Sequence, residues 1–143
     1  MSRTGSCLCG AVNFKINKDI TETGACHCGM CRKWSGGVFL GVEVPGDQIE
    51  IEGRKNLSSY GSSPWAERVF CRTCGSSLWY RVTAPGPHHN AHHIGFGTFD
   101  TQDGVALTGE IFIDRKPGGY SFANETQKMT EAEVMALFGG AGG

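Results

Sequence analysis

The sequence predicts a single, mainly β domain with one short helix near its C-terminal end. The chain has 143 residues, which is about the size of one domain. Its apolar residues fall in short runs, and most of these alternate with polar residues as half-buried strands do. Clusters rich in glycine, proline and aspartate separate the runs and indicate turns. We expect the domain to span 1–138 and the glycine-rich segment 139–143 to form a flexible tail.

The predicted strands follow one another along most of the chain. They lie at 12–16, 38–44, 49–51, 69–70, 78–80, 94–99 and 111–113, with turn clusters at 45–47, 52–54 and 84–87. The helix begins after Thr130, because Thr130 and Glu133 form the Thr-x-x-Glu pattern of a capping box. Val134, Leu137 and Phe138 follow at helical spacing, and two glycines end the helix.

Charge and hydropathy exclude several classes of partner. Thirteen Lys and Arg against fourteen Asp and Glu leave a formal charge of −1, so electrostatics indicates neither nucleic acid nor an acidic membrane surface. The longest uncharged apolar stretch, 34–42, is far shorter than the roughly 20 residues that a membrane span requires. No apolar signal segment follows the N-terminus. We therefore expect a soluble, cytoplasmic protein without a membrane partner.

The seven cysteines indicate metal binding. Their number is odd, and their C-x-C and C-x-x-C spacings place most thiols too close together to be each other's disulfide partners. In a reducing compartment, thiols at such spacings are typical of metal sites.

Four of the cysteines predict a structural zinc site. Cys7 and Cys9 provide two thiolates, and the C-x-x-C-G pattern of Cys71 and Cys74 provides two more. Gly75 can adopt a positive φ, which lets backbone N–H groups turn toward the thiolates. Four thiolates saturate a tetrahedral ion, and loss of this ion should unfold the domain. The alternatives are iron on the same sulfurs, or a redox pair at 71 and 74 beside two buried thiols.

The other three cysteines predict a second zinc site of a different kind. Cys26, Cys28 and Cys31 leave one coordination position open, which is typical of catalytic zinc. A fourth protein ligand from His27, or from the histidines at 88–93, would make this site structural as well. We interpret 88–93 as mainly an exposed loop that leads into the strand at residue 94.

An open site of this composition favours thiol chemistry over water activation. Three thiolates and a zinc ion carry a net charge of −1, which weakens the ion as a Lewis acid, but the ion still holds an incoming thiol as thiolate. Such a thiolate is a nucleophile or leaving group for carbon–sulfur bonds. Arg32 and Lys33 directly follow the cysteines and are candidates to hold a substrate carboxylate, unless they are solvated surface charges. Trp34 is a candidate wall of the site.

These residues resemble the family of glutathione-dependent formaldehyde-activating enzymes, which also contains centromere protein V. The resemblance covers nearly the whole chain to about residue 120 and includes all seven cysteines with their flanking glycines. It runs through 5–12, 26–33, 70–78, 97–100 and 111–113. Glu110 and Tyr120 depart from it, since many members have His and Trp at these positions.

The resemblance implies a β-tent of twisted antiparallel sheets around the structural zinc, and two zinc ions per chain. It assigns Cys26, Cys28 and Cys31 to the catalytic ion and the other four cysteines to the structural one. It also implies that formaldehyde and glutathione are joined as S-hydroxymethylglutathione, which is a carbon–sulfur lyase reaction run backward. The alternatives are a non-enzymatic zinc module that binds a protein or nucleic acid, and a store or sensor of metal.

Overall fold

The computed structural model describes residues 2–138 as two β-sheets with short helices. The strands are β1 Arg3–Ser6, β2 Asn13–Ile16, β3 Glu22–Cys26, β4 Phe39–Pro45, β5 Ile49–Glu52, β6 Leu57–Ser63, β7 Ala66–Cys71, β8 Ser77–Val82, β9 Ala91–Gly95, β10 Ala106–Ile111 and β11 Gln127–Met129. The mainly β fold is therefore confirmed. The predicted flexible tail at 139–143 lies outside the described residues.

The smaller sheet has the strand order β1-β2-β5, and the larger has the order β11-β10-β3-β4-β9-β8-β7-β6. Neighbouring strands are antiparallel, with the exception of β10, which runs parallel to both β3 and β11. The antiparallel arrangement that the resemblance implies therefore holds for the adjacent strands β3, β4, β9, β8, β7 and β6. It changes to a parallel arrangement at β10. No helix in the described part of the chain is long and apolar enough to cross a membrane.

Residues 2–138 contain two α-helices, α1 Gly29–Ser35 and α2 Glu131–Phe138, and four 3-10 turns at Gly46–Gln48, Arg54–Asn56, Phe96–Thr98 and Ile113–Arg115. Helix α2 begins as the sequence predicts. The Thr130 N–H donates to the Glu133 carboxylate at 2.9 Å, and the Glu133 N–H donates to the Thr130 hydroxyl at 3.3 Å. Val134 on α2 is buried, so the helix packs on the protein.

We expect Thr130→Ala to lower the free energy of unfolding by about 1 kcal/mol, because it removes the side-chain cap from the first turn of α2. Thr130→Ser keeps a hydroxyl at this position and should stay close to wild type. Urea unfolding midpoints of the three proteins measure the effect. If Thr130→Ala were as stable as Thr130→Ser, the cap would contribute nothing.

Helix α1 was not predicted, so the expectation of a single helix is wrong. The helix has seven residues and buries only Cys31, so it shows no apolar periodicity. Its first turn is capped by a thiol, since the Cys28 Sγ accepts a hydrogen bond from the Cys31 N–H. Gly36 ends it in a left-handed conformation with φ of 83°.

Two of the predicted strands end early. The strand predicted at 94–99 stops at Gly95 and continues as a 3-10 turn. The Thr98 hydroxyl donates to the Gly95 carbonyl at 2.7 Å and stabilises this turn. The strand predicted at 111–113 is wrong apart from Ile111, the last residue of β10, because Phe112 adopts a left-handed φ of 55° and its side chain is buried.

The apolar side chains form two separate cores. The larger core joins the two sheets. It contains Val12, the buried residues Phe14 and Ile16 of β2, and residues of the large sheet: Val42, Val44, Val69, Leu78, Trp79 and Ile94. The smaller core surrounds three of the cysteines and contains Cys26, Cys28, Cys31, Phe39, Phe112 and Val134. The fold thus places one cysteine group at each core.

Candidate metal centres

The four cysteines predicted for a structural site come together between the two sheets. Cys7 follows β1 and Cys9 lies in the turn to β2, while Cys71 ends β7 and Cys74 lies in the turn to β8. We call these four residues the quartet. Their sulfur atoms all lie within 4.8 Å of one another, with 3.7 Å between Cys7 and Cys9 and 3.8 Å between Cys9 and Cys71. Sulfurs at zinc's bond length of 2.3 Å form a tetrahedron with edges of about 3.8 Å, so the quartet fits zinc.

Backbone N–H groups point at the quartet sulfurs, as the sequence predicts. The Val12 N–H donates to the Cys7 Sγ at 3.3 Å, and the Thr73 and Cys74 N–H groups donate to the Cys71 Sγ at 3.4 and 3.5 Å. These donors stabilise negative charge on sulfur, which is the form that binds metal.

The local geometry around Cys71 and Cys74 favours their thiolates. The backbone hydrogen bond from Cys74 lowers the pKa of the Cys71 thiol. The Ser76 hydroxyl, with its Oγ 3.2 Å from the Cys74 sulfur, lowers the pKa of Cys74 to about 5. Gly75 has the predicted positive φ, 80°, which turns the chain back toward the sulfurs.

The quartet joins parts of the chain that are far apart in sequence. Cys9 and Cys71 are separated by 62 positions, and Cys71 is fully buried in the larger core. A second link runs beside it, because the Leu8 N–H donates to the Ser76 hydroxyl at 2.9 Å. The quartet therefore fastens the small sheet to the β7–β8 hairpin.

The remaining three cysteines form a second group, which we call the trio. Cys26 is the last residue of β3, Cys28 caps α1, and Cys31 lies in α1. Their sulfur atoms lie within 4.8 Å of one another, and all three side chains are buried. Hydrogen bonds from the other two thiols lower the pKa of Cys28, while hydrogen bonding to Cys28 raises that of Cys26.

Within residues 2–138, no histidine or carboxylate joins the trio. The two ring nitrogens of His27 lie 2.9 Å from a Glu110 oxygen and 3.1 Å from the Tyr120 hydroxyl. The loop predicted at 88–93 is shorter than expected, since His92 and His93 lie on β9 and only 88–90 precede the strand. The trio thus offers three sulfurs, and neither alternative source places a fourth ligand beside them.

His27, Glu110 and Tyr120 form a buried network next to the trio. Glu110 also accepts a hydrogen bond from the Thr126 hydroxyl at 2.6 Å, and its side chain is almost completely buried. Burial raises the pKa of Glu110, but the hydrogen bonds from Thr126 and His27 outweigh burial, so the net pKa is lowered. This network links His27, the residue between Cys26 and Cys28, to β10. It therefore holds the loop that carries the trio in place. The sequence indicated Glu110 and Tyr120 as departures from the family pattern, but not their contact with His27.

We expect Glu110→Gln to destabilise the protein by about 1 to 3 kcal/mol at neutral pH, because the charged acceptor of two buried hydrogen bonds is lost. The folded-state pKa of Glu110 is lowered, so its contribution is complete at neutral pH and disappears as the pH falls below about 4. The difference in the free energy of unfolding between Glu110→Gln and wild type should therefore decrease as the pH falls.

Denaturant midpoints over a pH series measure this effect. Glu22→Gln, an exposed change on the neighbouring strand β3, is the matched control and should have little effect at any pH. A gap between Glu110→Gln and wild type that widens on acidification would contradict the assignment.

A cleft of about 730 Å³ adjoins the trio. Cys26 and Cys31 lie in its wall beside apolar side chains such as Phe39 and Val134. The charged residues around it are mostly acidic: Lys18, Asp19, Glu22 and Glu43. The cleft gives a small molecule a route to two of the three sulfurs.

The two basic residues that follow the trio in sequence lie outside the wall of the cleft. Arg32 and Lys33 are exposed on the last turn of α1, and neither lines the cleft. Trp34 is half-buried and packs against Phe39, with 5.5 Å between ring centroids. The role of Arg32 and Lys33 in holding a carboxylate stays a prediction.

The structure adds Arg68 to the site, a residue that the sequence did not single out. It lies on β7, is 2% exposed, and donates from Nη1 to the Cys31 Sγ at 3.5 Å. The predicted strand begins one residue later, at Val69, so the sequence pattern does not indicate that this arginine faces inward. No local motif marks it.

A profile of the family described as glutathione-dependent formaldehyde-activating enzyme matches residues 2–115. A protein of Schizosaccharomyces pombe, named an uncharacterised lyase, is 32% identical over 131 residues, which are 92% of this chain and 93% of the relative.

Two further relatives are provisionally named glutathione-dependent formaldehyde-activating enzymes. The one from Halomonas elongata is 35% identical over 83 residues, which are 52% of this chain and 53% of the relative. The one from Podospora anserina is 27% identical over 96 residues, which are 64% of this chain and 45% of the relative. The matched part thus spans about half the length of each of these two proteins.

Proposed function

The chain belongs to the family of glutathione-dependent formaldehyde-activating enzymes, and from this premise we propose that it is a zinc-dependent carbon–sulfur lyase. Its substrate is the adduct of a thiol and an aldehyde, of the S-hydroxymethylglutathione type. One observation carries the proposal: three buried cysteine sulfurs converge beside a cleft, and no histidine or carboxylate among residues 2–138 completes the set. The names of the relatives support lyase chemistry with glutathione and formaldehyde.

In this proposal the quartet has a structural role and the trio has a catalytic role. The quartet holds a structural zinc, since four sulfurs leave no position for substrate. The trio, Cys26, Cys28 and Cys31, holds a second zinc and forms the catalytic site. When bound there, zinc supplies stabilisation of an incoming thiol as its thiolate at neutral pH.

The reaction needs a sulfur nucleophile and a shielded carbonyl. In the direction of adduct formation, the thiolate sulfur attacks the aldehyde carbon and a carbon–sulfur bond forms. The π electrons of the carbonyl move to oxygen, which takes up the proton that the thiol released. The reverse steps break the carbon–sulfur bond and constitute the lyase reaction. Phe39 and Val134 line the cleft and exclude water from the reacting atoms.

We propose glutathione, or another small anionic thiol, as the partner, with Arg32 and Lys33 binding its carboxylates at the edge of the site. The acidic residues around the cleft favour a thiol whose charged groups remain at this edge. We also propose a cytoplasmic location, because both cysteine groups need reduced thiols to bind metal.

Two-dimensional exchange NMR of formaldehyde with a panel of thiols tests the function. The zinc-loaded protein should accelerate exchange between free formaldehyde and the hydroxymethyl adduct of at least one thiol. Arg32→Ala and Lys33→Ala should raise the KM for glutathione and leave that for uncharged 2-mercaptoethanol unchanged. If the protein with two zinc ions accelerated exchange for no thiol in the panel, the enzyme assignment would be wrong.

A further inference from the structure

Arg68 is a buried cation without a carboxylate partner. Its side chain is 2% exposed, and none of the ion pairs within residues 2–138 involves it. An arginine guanidinium is not deprotonated in proteins. Burying an unpaired charge is costly, so an anion must lie nearby.

The trio supplies that anion. Arg68 Nη1 donates to the Cys31 Sγ at 3.5 Å, and the other two trio sulfurs lie within 4.8 Å of that sulfur. The guanidinium lies 5.4 Å from the Trp34 ring centroid and 5.0 Å from that of Tyr80, so aromatic faces hold it against the sulfurs. Its Nε and Nη2 atoms are buried and have no hydrogen-bond partner among the described residues.

The sheet fixes this position. Arg68 on β7 is the register partner of Tyr80 on β8, and Tyr80 is the partner of His93 on β9. Tyr80 also lines the cleft, so Arg68 lies directly behind the cleft wall. A cation in this position influences any molecule that reaches the trio from the cleft.

We propose that Arg68 is the counter-cation of the trio and makes the site prefer an anionic thiolate to a neutral molecule as its fourth ligand. Three thiolates and a divalent ion carry a net charge of −1, and Arg68 brings this to zero. A thiolate then enters a neutral site instead of an anionic one. The inference rests on the metal site of the proposed function, but not on its reaction.

Cobalt(II) tests the proposal without turnover, because it replaces zinc in thiolate sites and its sulfur-to-metal absorption reports each bound thiolate. The protein loaded with two Co²⁺ is titrated at fixed pH with 2-mercaptoethanol, an anionic ligand when bound, and separately with imidazole, a neutral one. Arg68→Met should weaken thiolate binding at least about tenfold and change imidazole binding little. Arg68→Lys, which keeps the charge, should restore most of the thiolate affinity.

Arg81→Met is the matched control, since Arg81 hydrogen-bonds to Glu67 and Asn90 and should affect neither ligand. Should Arg68→Met not fold, Arg68→Gln keeps a donor without the charge and should show the same selective loss. Equal weakening of both ligands would mean that Arg68 only supports the structure, and unchanged thiolate affinity would also overturn the proposal. A wild-type trio that binds no cobalt would refute the metal site itself and this inference with it.

Discussion

Replacing Cys71 by serine will unfold the domain. Cys71 is fully buried in the larger core, and it joins the β7–β8 hairpin to the N-terminal turn 62 positions away. Structural zinc contributes about 10 to 16 kcal/mol in small domains, whereas a domain of this size has a net stability of about 5 to 15 kcal/mol. Loss of this ion therefore costs about as much free energy as the net stability of the whole domain.

Circular dichroism, protease sensitivity and zinc content measure this effect together. Cys71→Ser should lose the β-sheet signal, become rapidly degraded and retain no stoichiometric zinc. Cys28→Ser, the same exchange in the trio, is the control and should keep the sheet signal and one zinc per chain. A folded Cys71→Ser protein would show that the quartet is not the structural centre.

Cys28→Ser will abolish thiol-dependent exchange of formaldehyde while leaving the domain folded. Two sulfurs remain in the trio, which are too few to hold zinc. We expect the rate acceleration to fall at least about a hundredfold. Zinc content should fall from two ions per chain to one, because the quartet lies at a different core.

Met30→Leu is the matched control for this variant. Met30 is exposed and lies between Cys28 and Cys31 in α1, so its exchange alters the same helix without touching a sulfur. It should keep both ions and nearly the full rate. Full activity of Cys28→Ser would place the chemistry outside the trio, and unfolding of Cys28→Ser would give the trio the structural role.

The spacing of cysteines predicted which sulfurs belong together, because short C-x-C and C-x-x-C segments constrain the chain whatever the surrounding fold. The assembly of Cys9 with Cys71 across 62 positions could also be inferred, since neither pair completes a tetrahedron alone. The capping box at Thr130 could also be predicted from the sequence, because its hydrogen bonds are local.

Other features depend on tertiary contacts that leave no local pattern. Strand β6 has no fully buried residue and no alternation, so only its pairing with β7 defines it. Helix α1 depends on a thiol cap and on packing of Cys31. Arg68 becomes a site residue only because three strands bring it behind the trio. His27 is kept away from the trio sulfurs because Glu110 and Tyr120 hold its ring.

Diffraction at the zinc absorption edge, from crystals of the zinc-loaded protein grown with and without the reactive thiol, tests the central claim most directly. We predict one ion bound by Cys7, Cys9, Cys71 and Cys74 in both crystals. The second ion should have three protein sulfurs, from Cys26, Cys28 and Cys31, and should gain the thiol sulfur at about 2.3 Å when the thiol is present. A protein side chain in that fourth position in both crystals, or no ion at the trio, would contradict the account.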